Sequence, residues 1–298
     1  MSTLQRVSAR DVTAARLLRS SQRSSFTPDR EVDWAAPFED GLPFMPPEKI
    51  SLYGTPLWRE LDEQRRIVLS KHELASQMAV GIWLELSLMH GFLRALYDQD
   101  PRTAHAQFAL TEVGDETRHS IMFGKLIDKL GTPRYGVPRP VHAGGRLFNA
   151  LGGGPSMWAV FLLGEEVFDR MQRAGMADER VQPLVRTLNR IHVIEEARHV
   201  RYAKEDLVRN VRGLSRGALE RHRLITAVVG TAIVDFMIDP SVYRCVGITP
   251  VAGRRMALAN PYFRETRSWT GEKIMPFLDE VGLLSGPGVA LWRRIGMI

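Results

Sequence analysis

Apolar positions recur at three- and four-residue intervals along almost the whole chain, and no stretch alternates as a half-buried strand would. That pattern predicts helices. A short first helix is expected over Asp11 to Arg19, and a second over Leu57 to Leu69. Ser70 followed by Glu73 resembles a capping box that opens a long helix over 71–97. Asp100-Pro101 starts the next, over 102–130, and Gly131-Thr132-Pro133 stops it. Two further helices are expected over 156–174, stopping near Gly175, and over 183–211, ending before Gly213. Ser215 to Ile238 is again helical and Asp239-Pro240 closes it. The tail from Ser241 mixes loops with two or three short helices.

The segment from Gly131 to Pro155 is rich in glycine and proline and reads as a long crossover between two helix pairs. Four long helices with one long central connection make an all-α, ferritin-like four-helix bundle. Thr27 to Pro56 is rich in proline and acids but carries Trp34, Phe38, Phe44 and Tyr53, so it reads as an ordered arm wrapping the bundle. The expected organisation is one domain over 1–298: helix and arm (1–56), helical bundle (57–238) and C-terminal extension (239–298).

Composition changes this picture little. The chain is 44% hydrophobic and 25% charged, as an ordinary globular protein would be. Its net charge of +6 comes from scattered arginines with no aromatic-plus-basic motif, which argues against nucleic acid. A single cysteine, Cys245, excludes an internal disulfide and fits a reducing compartment. No apolar leader with a small-residue cleavage site opens the sequence. The longest apolar run, Leu224 to Ile238, falls short of the roughly 20 residues of a membrane span and includes Asp235. The expectation is a soluble cytoplasmic protein without membrane or nucleic-acid partners.

Candidate chemistry lies in an internal echo: Asp115-Glu116-Thr117-Arg118-His119 against Glu195-Glu196-Ala197-Arg198-His199. Each is acid-Glu-x-Arg-His within an expected helix, and Glu and His three apart project from one face. Only two of the eight histidines have a glutamate three residues before them, and both lie in this repeated pattern. Glutamates bridging two metals, each backed by a histidine, would use that spacing. Two more carboxylates should come from the other long helices. Glu85 stands among Met78, Ile82, Leu88, Met89 and Phe92, where a carboxylate is costly to bury unless paired or ligated. Glu165 lies with Trp158, Phe161, Leu162 and Phe168, whereas Glu166 lies near Asp169, Arg170 and Arg173; Glu165 is read as inward and Glu166 as solvated.

His192, four before Glu196 and seven before His199, shares their stripe and beside them reads as a further ligand; alone it would read as a core histidine. Asp115 and Glu195 either orient ligating imidazoles or pair with Arg118 and Arg198. Glu112 faces the Glu116/His119 stripe one turn away, as an outer carboxylate or a spare ligand. Four carboxylates neutralise two divalent ions, and the mixed carboxylate/imidazole set suits iron or manganese, between which it does not choose.

At these residues the chain resembles the p-aminobenzoate N-oxygenase (AurF-like) family of ferritin-like di-iron oxygenases. The paired acid-Glu-x-Arg-His is shared with other di-iron proteins, and His192-x-x-x-Glu196-x-x-His199 is the sharper feature. Ser51-Leu52-Tyr53-Gly54-Thr55-Pro56-Leu57-Trp58 in the arm is also similar. The resemblance implies one iron held by Glu85, Glu116 and His119. The other would be held by Glu165, His192, Glu196 and His199, with Glu116 and Glu196 bridging. It further implies dioxygen as co-substrate, an aryl amine oxidised to hydroxylamine, nitroso or nitro products, and an external electron donor. A homodimer is left open. The rival readings are a di-iron C–H hydroxylase or desaturase and an iron-storage ferroxidase.

Overall fold

The computed structural model describes residues 9–298, and their regular structure is helical with no strand. In chain order the helices are α1 (Ala9–Arg23), α2 (Pro28–Glu31), α3 (Pro56–Glu60), α4 (Glu63–Leu96), α5 (Ala104–Leu130), α6 (Arg139–Leu151) and α7 (Gly154–Ala177). Then follow α8 (Pro183–Val211), α9 (Arg216–Asp235), α10 (Pro250–Ala259), α11 (Pro261–Gly271), α12 (Ile274–Glu280) and α13 (Val289–Ile295). α4 pairs with α5 and α7 with α8, and the pairs face each other through α4–α7 and α5–α8 contacts. This is the expected ferritin-like all-α bundle. α1 lies across α5 and α8, and α9 covers α7.

Four local expectations are corrected. Leu57–Leu69 is not a separate helix, because the chain turns once in α3 and then starts α4 at Asp62, whose carboxylate accepts from Arg65 N. Ser70 and Glu73 therefore lie inside α4 and do not cap it. Ser70 Oγ donates to Ile67 O and accepts from Phe44 N, and Glu73 accepts from the Ser51 amide and hydroxyl. Both side chains fasten the arm. α5 starts at Ala104, because Thr103 and not Asp100 caps it. Finally, α7 runs through Gly175. A Cβ there would stand 2.6 Å from Asn189 Nδ2, so this glycine admits a neighbouring helix and does not end its own.

The crossover is not structureless either, since it contains α6. The C-terminal face of that helix rests on α4: a Cβ on Gly145 would meet the Trp83 ring at 2.4 Å, and Arg94 Nη1 donates to Asn149 O and Ala150 O. The C-terminal extension is also more helical than expected, with α10 to α13 where two or three short helices were foreseen. The arm behaves as the aromatic anchors suggest: Val32, Phe44, Met45, Ile50 and Leu52 are buried in the apolar cluster that reaches from Ala14 to Met297.

By length and composition, Glu63–Leu96 and Arg216–Val246 could each cross a membrane. About half of each apolar stretch is buried inside the bundle, and the first also buries Glu73 and Glu85.

Candidate metal centre

All four long helices send acids or imidazoles into one buried volume at their middles. Glu85 comes from α4, Glu112, Asp115, Glu116 and His119 from α5, Glu165 from α7, and His192, Glu195, Glu196 and His199 from α8. Every one of them is buried. So many acids away from water are costly unless neutralised.

The two halves serve each other crosswise. His119 Nε2 meets Glu195 Oε2 at 2.9 Å, so the acid of α8 orients the histidine of α5. His199 Nε2 meets Asp115 Oδ2 at 3.2 Å, so the acid of α5 orients the histidine of α8. Both imidazoles thereby turn Nδ1 toward Glu116 and Glu196. His119 Nδ1 lies 3.0 Å from Glu116 and 3.4 Å from Glu196; His199 Nδ1 lies 2.8 Å from Glu116 and 2.9 Å from Glu196. The outer acids also touch the arginines: Asp115 pairs with Arg118 and with Arg198 Nη2 at 3.2 Å, and Glu195 has both guanidiniums within 4 Å. The two roles considered for Asp115 and Glu195 coexist. Glu195 Oε1 accepts in addition from Phe26 N, a donor from the arm that sequence spacing did not reveal.

His192 Nε2 stands 3.2 Å from Glu85 Oε1 and 3.7 Å from Glu196 Oε1, with the Phe123 ring against it at 5.0 Å between centroids. Three groups bring ligand atoms within 4.8 Å of one another: Glu85/His119/His192, Glu116/Glu196/His199 and Glu165/His192/Glu196. His192 therefore stands between Glu85 and Glu165, not on the Glu165 side alone. All seven residues proposed as ligands enter at least one group. Glu112 stays outside them, with both oxygens buried and unpartnered near His199.

Glu166 requires correction. It is buried, not solvated, and pairs with Lys204 Nζ of α8 at 2.5 Å. A cation 38 residues away in sequence neutralises it, which spacing along α7 could not show.

The polar accounting fits a metal. Glu85 Oε2, Glu116 Oε1, both oxygens of Glu196, His192 Nδ1 and His199 Nδ1 are buried without a hydrogen-bond partner. Several approach opposite donors closely yet lack donor–acceptor alignment, as ligand atoms converging on an ion would. Without ions the protons redistribute. Burial and the neighbouring carboxylates hold Glu85 and Glu165 well above the usual range. Glu116 is drawn well below it, because His199, Glu85 and His119 outweigh its burial. Burial works against charge on His119, but Glu116 and Glu195 raise it to about 9, while burial leaves His192 well below its ordinary value.

The sequence of the chain matches one family along nearly its whole length: the profile of the p-aminobenzoate N-oxygenase AurF covers residues 7–282. The chain belongs to the AurF family. AurF proteins are di-iron, and the buried His/Glu groups here could hold metal ions. The chain is also similar to uncharacterized proteins of Mycobacterium bovis (Mb0909) and of two Mycobacterium tuberculosis strains (MT0908 and Rv0885). Each is 28% identical over 210 residues, covering 68% of this chain and 62% of the relative. The chain thus spans less than two thirds of the length of these curated relatives.

Proposed function

We propose that this AurF-family chain is a di-iron oxygenase that oxidises a small organic substrate, an aryl amine at nitrogen. The observation that carries this is His192: a third imidazole, uncharged by burial, adjoins both Glu85 and the Glu196/His199 pair with Nδ1 unpartnered. Glu85, Glu116, His119, Glu165, His192, Glu196 and His199 would hold two irons, which supply the reduction of dioxygen when bound. The four glutamates balance two divalent ions. Asp115 and Glu195 fix the imidazole tautomers by accepting from Nε2–H. Phe123, whose buried ring lies against His119 and His192, excludes bulk water on that side.

The first turnover is written R–NH2 + O2 + two electrons + two protons → R–NHOH + H2O, so an external reductant must supply the electrons. We assign that role to a separate donor and the setting to the cytoplasm. The test is anaerobic loading of the chain with ferrous iron, followed by oxygen with and without aryl amines, reading iron stoichiometry and products by mass spectrometry. Two irons per chain and 18O in hydroxylamine or nitroso products are expected. Absence of bound iron would sink the reading, and oxygen placed only on carbon would replace it with a C–H hydroxylase.

A further inference from the structure

A second cleft, sharing no residue with the metal centre, lies between α4, the connection 134–137 and α6. It holds about 580 Å3. Small-molecule sites generally occupy roughly 300–1,000 Å3. Its two helical walls differ in chemistry. From α4 come Ala79, Ile82, Trp83 and Leu86, which share one face of the helix. Leu86 is 55% exposed and Trp83 is half-buried, so this apolar face is left partly uncovered. From α6 come His142 and Arg146, four residues apart, and Asn149. Tyr135 and Val137 of the connection add apolar surface, and Arg134 and His90 add further basic groups.

These basic groups are uncompensated. Among the described residues, the side chains of His90, Arg134, His142 and Arg146 make no hydrogen bond or ion pair. The acid in the lining, Asp239, is engaged within the fold: it accepts from Gly136 N at 3.3 Å and from Ser241 N and Oγ at 2.9 and 2.7 Å. Both helical walls are held in place. Gly145 lets α6 come against Trp83, where a Cβ would stand 2.4 Å from the ring, and Arg94 ties the end of α6 to α4 through Asn149 O and Ala150 O. Asn149 Oδ1 is buried without a hydrogen bond, an acceptor open to a donor on a ligand or to a water.

We infer that this cleft is a second binding site, for a small aromatic anion whose ring lies on Trp83, Ile82 and Leu86 and whose anionic end meets Arg134 and Arg146. A flat ring gains both apolar contact and stacking from an indole. A guanidinium offers a planar fork of donors that matches a carboxylate or a phosphate. A neutral molecule of the same shape would leave the two guanidiniums unused, and a bare anion would forgo the apolar wall. The site needs no iron and does not depend on the oxygenase reading.

The test is calorimetric titration of the iron-loaded, oxygen-free chain at low salt with 2-naphthoate, 2-naphthyl phosphate and the neutral 2-naphthamide. At least one anion is expected to bind about tenfold more tightly than the amide. Either anion in that place upholds the site, and the tighter one tells a carboxylate ligand from a phosphate ligand. Arg134→Gln and Arg146→Gln should each lower the anion's affinity about tenfold, with amide binding and iron content unchanged. Both arginines are exposed, so these variants keep the fold, which circular dichroism checks. Trp83→Ala should weaken all three probes. Equal binding of amide and anions, binding of no probe, or arginine variants that bind as wild type does would overturn the inference. So would loss of anion binding in His199→Ala, because the ligand would then sit at the metal centre. A chain that binds no iron yet prefers the anion keeps this site and loses the proposed function.

Discussion

Buried at the seam between arm and bundle, the Glu73 carboxyl accepts from the Ser51 amide at 3.0 Å and from the Ser51 hydroxyl, which also meets Tyr243 Oη at 2.9 Å. Burial raises its pKa to about 7, although the Ser51 hydrogen bonds oppose the shift. A carboxyl raised in the folded state stabilises the fold below its unfolded value near 4.5 and loses that contribution as pH rises through 7. Comparing urea unfolding of chelated wild type and Glu73→Gln should show the wild type losing roughly 3 kcal/mol relative to the variant between pH 4.5 and 8. A constant difference would mean that Glu73 does not titrate there. At the centre, Asp115→Asn should lower ferrous affinity about 10- to 100-fold in competition with a chromophoric chelator, because His199 loses the carboxylate that turns its Nδ1 inward. The inward glutamates were legible in sequence because a carboxylate among apolar residues has few uses. The crosswise pairing of Asp115 with His199, and of Glu195 with His119, was not. Each acid's partner lies on another helix, 84 or 76 residues away, and only the packing of α5 on α8 brings them together.

Periodicity reported the long helices well because each buries a continuous stripe, and it erred where a polar residue had two readings. Ser70 and Glu73 have capping-box spacing, but their partners are Phe44 and Ser51 of the arm, so they are buried crosslinks within one helix. Glycine misled in the same way. The glycine- and proline-rich stretch from Gly131 to Pro155 reads as a long crossover, yet it holds α6, and Gly145 is where that helix touches Trp83 of α4. This fixes a prediction for the element. Gly145→Val should lift α6 from α4 and raise hydrogen exchange over 139–151, while the exchange of α4, α5, α7 and α8 stays as in wild type. Protection of 139–151 unchanged by the valine would show that Arg94, through Asn149 O and Ala150 O, is enough to hold the helix.

At the scale of the molecule, the bundle closes around acids and imidazoles that its own contacts leave partly unsatisfied. The cores of α4–α5 and α7–α8 draw these groups together, while the groups resist being brought out of water. Glu85 and Glu165 meet this by retaining protons, and His119 and His199 by acquiring them. Bound cations would replace those protons, so loading should release protons and grow tighter as pH rises. Ligands present at about a thousandfold over their dissociation constant stabilise a fold by about 4 kcal/mol. For a chain of this size that is roughly 6 °C in melting temperature. Removing ferrous iron with a chelator under anaerobic conditions should lower the melting temperature by about that much at pH 8 and by less at pH 6. The Glu116→Ala and His199→Ala chains should no longer respond to iron at either pH. A melting temperature indifferent to iron in the wild type would mean that protons alone satisfy the cluster, and that the arrangement of four helices around it is structural.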